Sequence, residues 1–148
     1  MPEHQDREKE QSVKKINWKY ICIALLFIIC VIAILLSCIM FVHRENARRI
    51  LKEAKLAQFA VRTIGMEYYG TDKSVYDPGA SDGLAKGAAE EISSLTGNSG
   101  KVQLRSWNQE NMQPGHLIYI KDGFVVEYIY NDGKDNWNVY ELKHVIIH

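Results

Sequence analysis

The stretch YICIALLFIICVIAILLSCIMFV, residues 20–42, decides the architecture of this chain of 148 residues. Only Ser37 in this stretch is not apolar, and the stretch contains no charge, Gly or Pro. As a helix it would be roughly 35 Å long, which is enough to cross a hydrocarbon core of about 30 Å. The sequence therefore predicts a transmembrane helix over residues 20–42, with Trp18 and Tyr20 at the membrane interface.

The same stretch admits a second interpretation, in which it is processed. It is too long for the apolar core of a secretory signal, which is usually about 7–15 residues. However, Leu35-Leu36-Ser37-Cys38 resembles a bacterial lipobox, in which the Cys becomes acylated, so a lipoprotein stays an alternative. All three cysteines (Cys22, Cys30 and Cys38) lie in this stretch, where they are expected to be small packing residues.

The charges beside the apolar stretch do not fix its orientation. Five basic residues lie in residues 5–19 and five in residues 43–57, so the positive-inside rule favours neither side. The short charged tail is typical of a cytosolic anchor, and we expect a cytoplasmic N-terminus and an extracytoplasmic C-terminal domain. Arg44, Arg48 and Arg49 are expected to contact lipid head groups at the membrane interface.

The overall charge excludes one class of protein. The chain has 18 basic and 18 acidic residues, but residues 70–148 contain seven basic and eleven acidic ones. A nucleic-acid-binding chain would carry a basic surplus on the part that folds, so that class is excluded. Residues 1–19 are polar and are expected to be a disordered tail.

A helical pattern follows the apolar stretch over residues 43–69. Apolar residues recur there at spacings of three and four, which places them on one face of an amphipathic helix: Ile50, Ala54, Ala57, Val61, Ile64 and Tyr68. Because no Gly or Pro intervenes, we expect this helix to continue the transmembrane one. Ile50, Ala54 and Ala57 are expected to lie outside the globular domain and to form a protein interface, whereas the later residues are expected to lie beneath strands.

The remainder of the chain predicts a second helix and a sheet. Asp122-Gly123, between two alternating apolar runs, is a strong signal for a hairpin. Ser81 or Asp82 is expected to cap the second helix, and Gly97 to end it. The predicted elements are a loop over 70–81, a helix over 82–96, and strands over about 101–107, 116–121, 124–130 and 137–147. The predicted fold class is α+β, with one soluble domain over 43–148 and a four-stranded antiparallel meander.

Sequence motifs of enzymes are absent: the chain has no P-loop, no GxGxxG and no His-Glu-x-x-His, and its only Cys residues are in the apolar stretch. Three histidines (His116, His144 and His148) are candidates for one metal site, and an oxygen-rich loop (Asn131, Asp132, Asp135 and Asn136) is a candidate for a calcium site. Scattered histidines and turn residues of this kind are common without a metal. We therefore expect no catalytic residue, no metal and no cofactor.

The order of these parts resembles the type IV pilin and pseudopilin family. The resemblance lies in the architecture and in Ala57–Pro78, where a helix ends in Tyr68-Tyr69-Gly70 and is followed by Val75-Tyr76-Asp77-Pro78. The family's cleavage motif is absent, because no Gly precedes the apolar run and Ala24 occupies the position where the family has Glu. The resemblance implies an uncleaved or divergent pilin-like subunit of the cell envelope.

Two functions follow as expectations. The first is a non-enzymatic structural or interaction subunit that packs against other membrane or envelope proteins and binds no nucleic acid. The second is a single-pass anchored module that binds a ligand or a protein through a cystatin-like or nuclear-transport-factor-2-like sheet.

Overall fold

The computed structural model describes the backbone of residues 3–142 and the side chains of residues 18–142. It contains a long helix, a short helix and a four-stranded antiparallel sheet, which confirms the predicted α+β class. The elements are α1 (Glu3–Tyr69), α2 (Ala88–Thr96), β1 (Lys101–Asn108), β2 (Gln113–Lys121), β3 (Phe124–Asn131) and β4 (Lys134–Glu141). The chain divides into two compact units, Met1–Arg44 and Glu45–His148.

Helix α1 contains the apolar stretch, which is a candidate membrane span. Its most apolar window has a mean hydropathy of 3.3, and its side chains are exposed. The helix ends at Tyr69, as predicted, but it already begins at Glu3, where a disordered tail was expected. No Gly or Pro occurs between Glu3 and Ile64, and the polar residues of this segment are mostly good helix formers, which explains the longer helix.

The core of the second unit lies between α1 and the inner face of the sheet. The side chains of Ile50, Ala54 and Ala57 are 0%, 0% and 1% exposed, so the prediction that they form a protein interface is wrong. The β2–β3 hairpin causes this burial, because its Lys121 and Asp122 contact the part of α1 around Ile50 and Ala54. The inner face of the sheet supplies the other side of the core: Val102, Leu104, Leu117, Tyr119, Phe124, Val126 and Tyr128.

The sheet is a meander with the order β1-β2-β3-β4. Asp122-Gly123 forms the predicted tight hairpin, with φ of 50° and 78°, values that suit a type I′ turn. The next turn, Asp132-Gly133, has nearly the same φ values and is equally short. The sequence had predicted a longer loop between these two strands. Because this turn is short, β4 begins at Lys134 instead of residue 137; the predicted strand residues 143–147 lie outside the described residues.

Helix α2 begins at Ala88, six residues later than predicted. Gly83 and Gly87 have φ of 70° and 90°, a left-handed backbone that a helix cannot contain. Asp82 therefore caps a turn instead of a helix: its Oδ1 accepts a hydrogen bond from the N–H of Leu84 at 3.1 Å. The end of the helix agrees with the prediction, since Gly97 follows Thr96 with φ of 63°.

Gly65, near the end of α1, is explained by Trp107 of β1. A Cβ atom added at Gly65 would lie 2.2 Å from the Trp107 ring, so the ring packs directly on the helix backbone. The glycine costs helix stability of about 1 kcal/mol relative to Ala but allows this close approach of the sheet.

We predict that Ala54→Asp destabilises the domain by several kcal/mol, because it buries an unpaired charge in the core. Leu56→Asp is the matched control: it places the same charge two residues away, at a side chain that is largely exposed. Thermal melts of the full chain in detergent, followed by near-ultraviolet circular dichroism of the tryptophans, compare the two variants. Equal melting temperatures for both variants would contradict the observed burial.

Candidate interaction surfaces

Helix α1 carries a second apolar row on the side opposite its core face. Leu56, Phe59 and Met66 are 54%, 66% and 44% exposed, and at about 100° per residue they fall on one side of the helix. We call these three residues the outer stripe. Sequence analysis missed it, although the spacings of three and seven were present, because only the more regular core stripe was followed.

Basic side chains border the outer stripe. Lys52 and Arg62 are exposed, and among the described residues no carboxylate forms an ion pair with either of them. Lys55 lies over the ring of Trp137, with its Nζ 5.6 Å from the ring centroid. Thr63, between the apolar residues, donates its hydroxyl to the carbonyl of Phe59 at 3.0 Å. The outer stripe is thus an apolar row with basic side chains along one edge, and the exposed acidic Glu67 lies on its other side.

The residues predicted to contact lipid head groups are exposed, but two of them also form ion pairs. Trp18 and Tyr20 are largely exposed, as is Arg44. Arg48 forms an ion pair with Glu45 at 3.0 Å, and Arg49 forms one with Asp122 at 3.1 Å. Contact of these residues with lipid stays a prediction; Arg49 also has a structural role, because it joins α1 to the β2–β3 hairpin.

The outer face of the sheet, away from α1, carries four half-buried aliphatic side chains. They are Ile118, Ile120, Val125 and Ile129. Glu127 lies among them, and its Oε1 is 3.0 Å from His116 Nε2. The hydroxyl of Tyr140 donates to the other oxygen of Glu127 at 3.4 Å. This face is more apolar than the solvent-exposed face of an antiparallel sheet usually is.

The candidate metal ligands do not come together in the part of the chain that the structure describes. His116 contacts Glu127, and Asp135 accepts a hydrogen bond from the hydroxyl of Tyr128 at 2.8 Å. Among the described residues no group of three His, Cys, Asp or Glu side chains could hold a metal ion. His144 and His148 lie outside the described residues.

A polar cleft of about 770 Å³ lies where the end of α1 meets the following loop and α2. Its walls include Tyr68, Lys73, Tyr76, Lys86 and Glu91. The hydroxyl of Tyr68 donates to Glu91 Oε1 at 3.2 Å and so links α1 to α2. Burial, and next the negative charge of Glu91, raise the pKa of Tyr68. Lysines and carboxylates line the cleft together, so it does not favour one class of charged ligand.

Helix α2 exposes one large apolar side chain one turn after a carboxylate. The helical spacing would place Leu95 on one face with Ala88 and Ile92, but Leu95 is 62% exposed whereas the other two are buried. Glu90 and Glu91 lie in the first turn of the same helix and are exposed. We call Glu91 and Leu95, which are four residues apart on one side of the helix, the α2 patch. It combines negative charge with apolar surface, the reverse of the charge beside the outer stripe.

A charged cluster fixes the sheet to α1. Lys121 Nζ lies 2.7 Å from Glu53 Oε2, and the hydroxyl of Tyr119 donates to the same oxygen at 3.1 Å. Burial alone would raise the pKa of Glu53, but the hydrogen bonds from Lys121 and Tyr119 and the charges of Lys121 and Arg49 outweigh it and lower the pKa. Burial and the Glu53 carboxylate in turn raise the pKa of Tyr119.

We predict that Glu53→Gln lowers the free energy of unfolding by about 1–3 kcal/mol at pH 7, because a charge-assisted hydrogen bond is lost. A carboxylate whose pKa is lowered on folding stabilises the protein above its unfolded pKa, about 4.3, and that contribution disappears as the pH falls through the folded pKa. The difference between the two proteins should therefore shrink below about pH 4. Denaturant unfolding at several pH values measures it, with the exposed Glu110→Gln as control; a pH-independent difference would contradict the assignment.

No family model, no curated protein and no solved structure matches this chain. The described part of the chain offers four surfaces for contact with another molecule: the outer stripe, the α2 patch, the outer face of the sheet and the polar cleft.

Proposed function

We propose that this chain is a membrane-anchored, non-enzymatic structural or interaction subunit of an envelope assembly, similar in kind to type IV pilins and pseudopilins. The observation that carries the proposal is that α1 has apolar residues on two opposite sides. One side is buried in the chain's own core, and the other, the outer stripe, is exposed. A helix that serves only its own domain needs only the first side.

The outer stripe has an energetic consequence. Full burial of a Leu, Phe or Met side chain stabilises a complex by roughly 1.5–3 kcal/mol relative to exposure. Because these three side chains are already about half covered, their burial contributes roughly half of that each, and part of this gain is lost to the entropy of association. Single exposed apolar residues are common, but a row of them on one helix face marks a contact surface.

The candidate membrane span supports the anchored part of the proposal. One helix among the described residues is long and apolar enough to cross a membrane. We assign a single-pass topology in the cell membrane, with a cytoplasmic N-terminus and the unit Glu45–His148 outside. Such a domain can be translocated largely regardless of its charge. The pilin-like likeness rests on the order of parts alone: an apolar helix that continues into an amphipathic one, a loop, and an antiparallel meander.

An anchored binding module is the second candidate. The apolar outer face of the sheet favours it, because Ile118, Ile120, Val125 and Ile129 form a half-exposed surface around the polar group of Glu127. A ligand or protein that covered this face would bury these aliphatic side chains. This candidate differs from the first in the surface that it uses, so the two can be separated by position-specific cross-linking.

The topology predicts the result of protease treatment of intact cells. A protease added outside should remove the C-terminal domain and leave a short fragment that carries an epitope placed at the N-terminus. The fragment is detected by immunoblotting, with a cytosolic protein as control for cell integrity. Full protection in intact cells, together with cleavage in permeabilised cells, would contradict the assigned orientation.

The interaction role predicts a position-dependent photo-cross-link. A photoreactive phenylalanine analogue at Phe59 of the full chain, expressed in the cell that naturally makes it, should yield discrete protein adducts on gels after irradiation. The same analogue at Gln109, an exposed residue of the β1–β2 turn, is the control and should yield none. Adducts at Ile118 instead of Phe59 would favour the binding module, and lipid adducts alone at Phe59 would contradict the subunit role.

A further inference from the structure

We infer that the open edge of β4 is a binding site for an extended segment of another protein, which joins the sheet as a fifth strand beside β4. The inference goes beyond the proposed function, because it uses neither the outer stripe nor the outer face of the sheet. The segment is recognised through its backbone hydrogen bonds. Its side chains alternate between apolar and polar, with a carboxylate on the side that faces α1.

The two edges of the sheet differ in how they are covered. Among the described strands, β1 and β4 are the outermost ones. The edge of β1 is covered by the segment before α2: the N–H of Leu104 donates to the carbonyl of Asp82 at 2.7 Å, and the hydroxyl of Tyr76 donates to the carbonyl of Arg105 at 2.9 Å. Among the described residues, no segment covers the edge of β4 with comparable hydrogen bonds.

The geometry of the β3–β4 turn determines which backbone groups of β4 point to the open edge. A two-residue turn such as Asp132-Gly133 is closed by a hydrogen-bonded pair, here Asn131 and Lys134, and hydrogen-bonded and non-hydrogen-bonded pairs then alternate along the strands. The bond from the N–H of Leu142 to the carbonyl of Gly123, at 2.7 Å, follows the same alternation. The N–H and C=O groups that point away from β3 belong to Asp135, Trp137 and Val139.

The edge of β4 lacks most of the features that usually prevent a strand from pairing with another chain. Natural edge strands are commonly short, bulged, charged or interrupted by Pro. Strand β4 is eight residues long, its register with β3 has no bulge, and its segment 136–140 contains no charge, Gly or Pro. The neighbouring Asp135 is hydrogen-bonded to the hydroxyl of Tyr128. A long, regular and uncharged edge is the surface that strand addition uses.

The side chains on the α1 side of the edge indicate what the added strand carries there. Trp137 packs against Tyr128, with ring centroids 4.7 Å apart, and Val139 is 37% exposed. Cross-strand neighbours share a face, so the residues next to these two are apolar. Lys55 Nζ lies 5.6 Å from the centroid of the Trp137 ring, and Lys55 has no carboxylate partner among the described residues. It attracts a carboxylate on the same side of the added strand.

The opposite side of the edge is polar. The exposed residues on that side are Asn136, Asn138 and Tyr140. Their amide and hydroxyl groups favour polar neighbours with which they can form hydrogen bonds. The two sides together therefore select a strand in which apolar and polar residues alternate, because successive side chains of a strand point to opposite faces.

The first test measures peptide binding to the full chain in phospholipid nanodiscs. The probe is a fluorescent peptide as long as β4, in which valine and threonine alternate and one glutamate replaces a valine. Fluorescence anisotropy gives its Kd, and hydrogen exchange followed by NMR should show slower exchange at the amides of Asp135, Trp137 and Val139. The control is the same peptide with N-methyl groups on the amides that face β4. It cannot donate these hydrogen bonds and should bind about tenfold or more weakly.

Substitutions at the edge test the protein side. Val139→Pro removes an N–H that points to the edge and keeps the bonds to β3, so it should weaken binding about tenfold. Val139→Thr keeps both the N–H and the branched shape and should bind like the parent chain. Lys55→Gln should weaken binding of the glutamate peptide but not of a peptide with glutamine in its place. Thermal melts establish which variants are folded, and the N-methylated peptide provides the test with the unaltered chain.

Absence of binding, or equal affinity for the two forms of the peptide, would overturn the inference. Protection of the same amides without peptide would overturn it in favour of another occupant. That occupant is a second copy if the protection requires two chains in one nanodisc, and the chain's own last residues if the protection is lost in a chain that ends at Leu142. The photo-cross-link at Phe59 tests the subunit role separately, because the outer stripe lies on the side of α1 opposite its core face.

Discussion

The burial of one face of α1 beneath the sheet is the interaction on which the rest of the second unit depends. Small residues on that face, such as Ala54, Ala57 and Ala60, let the strands approach the helix closely. The sheet fills the space with large side chains, above all Tyr119 and Tyr128, which are almost fully buried. Their hydroxyls reach Glu53 and Asp135, respectively, so the polar ends of these buried rings are satisfied.

This packing also determines which surfaces remain for function. Because the β2–β3 hairpin covers α1 from Arg49 onward, the core face of the helix is fully used within the chain. A contact of this unit with another protein then uses other surfaces, among them the opposite side of the helix, the short helix α2 and the outer face of the sheet. Leu56, Phe59 and Met66 of α1 and Leu95 of α2 remain exposed there.

The local pattern of the sequence was sufficient to predict the fold class. It was not sufficient to predict which side chains the other elements bury. The apolar stretch, the helical period and Asp122-Gly123 predicted the elements, because each is a short-range signal. The start of α2 was missed because a helical pattern continues through Gly83, whose left-handed backbone lies directly against the carbonyl of the distant Leu104. The burial of Ala54 depends on a hairpin that is distant in the sequence, and the exposure of Leu95 depends on where the neighbouring elements end. A short window of sequence carries no information about either.

Helix α1 precedes the sheet in the chain, and this order affects how the protein folds during synthesis. During synthesis the core face of α1 around Ile50 is completed first. Strand β3, which contains Val126, is made later. At about 5–20 residues per second, roughly 4–15 s separate these two points. For that interval the core face of the helix lacks the sheet that will cover it, so the nascent chain exposes apolar surface on two sides of α1 and is vulnerable to aggregation. The consecutive order of the strands shortens the later steps, because each hairpin can form as soon as its second strand emerges.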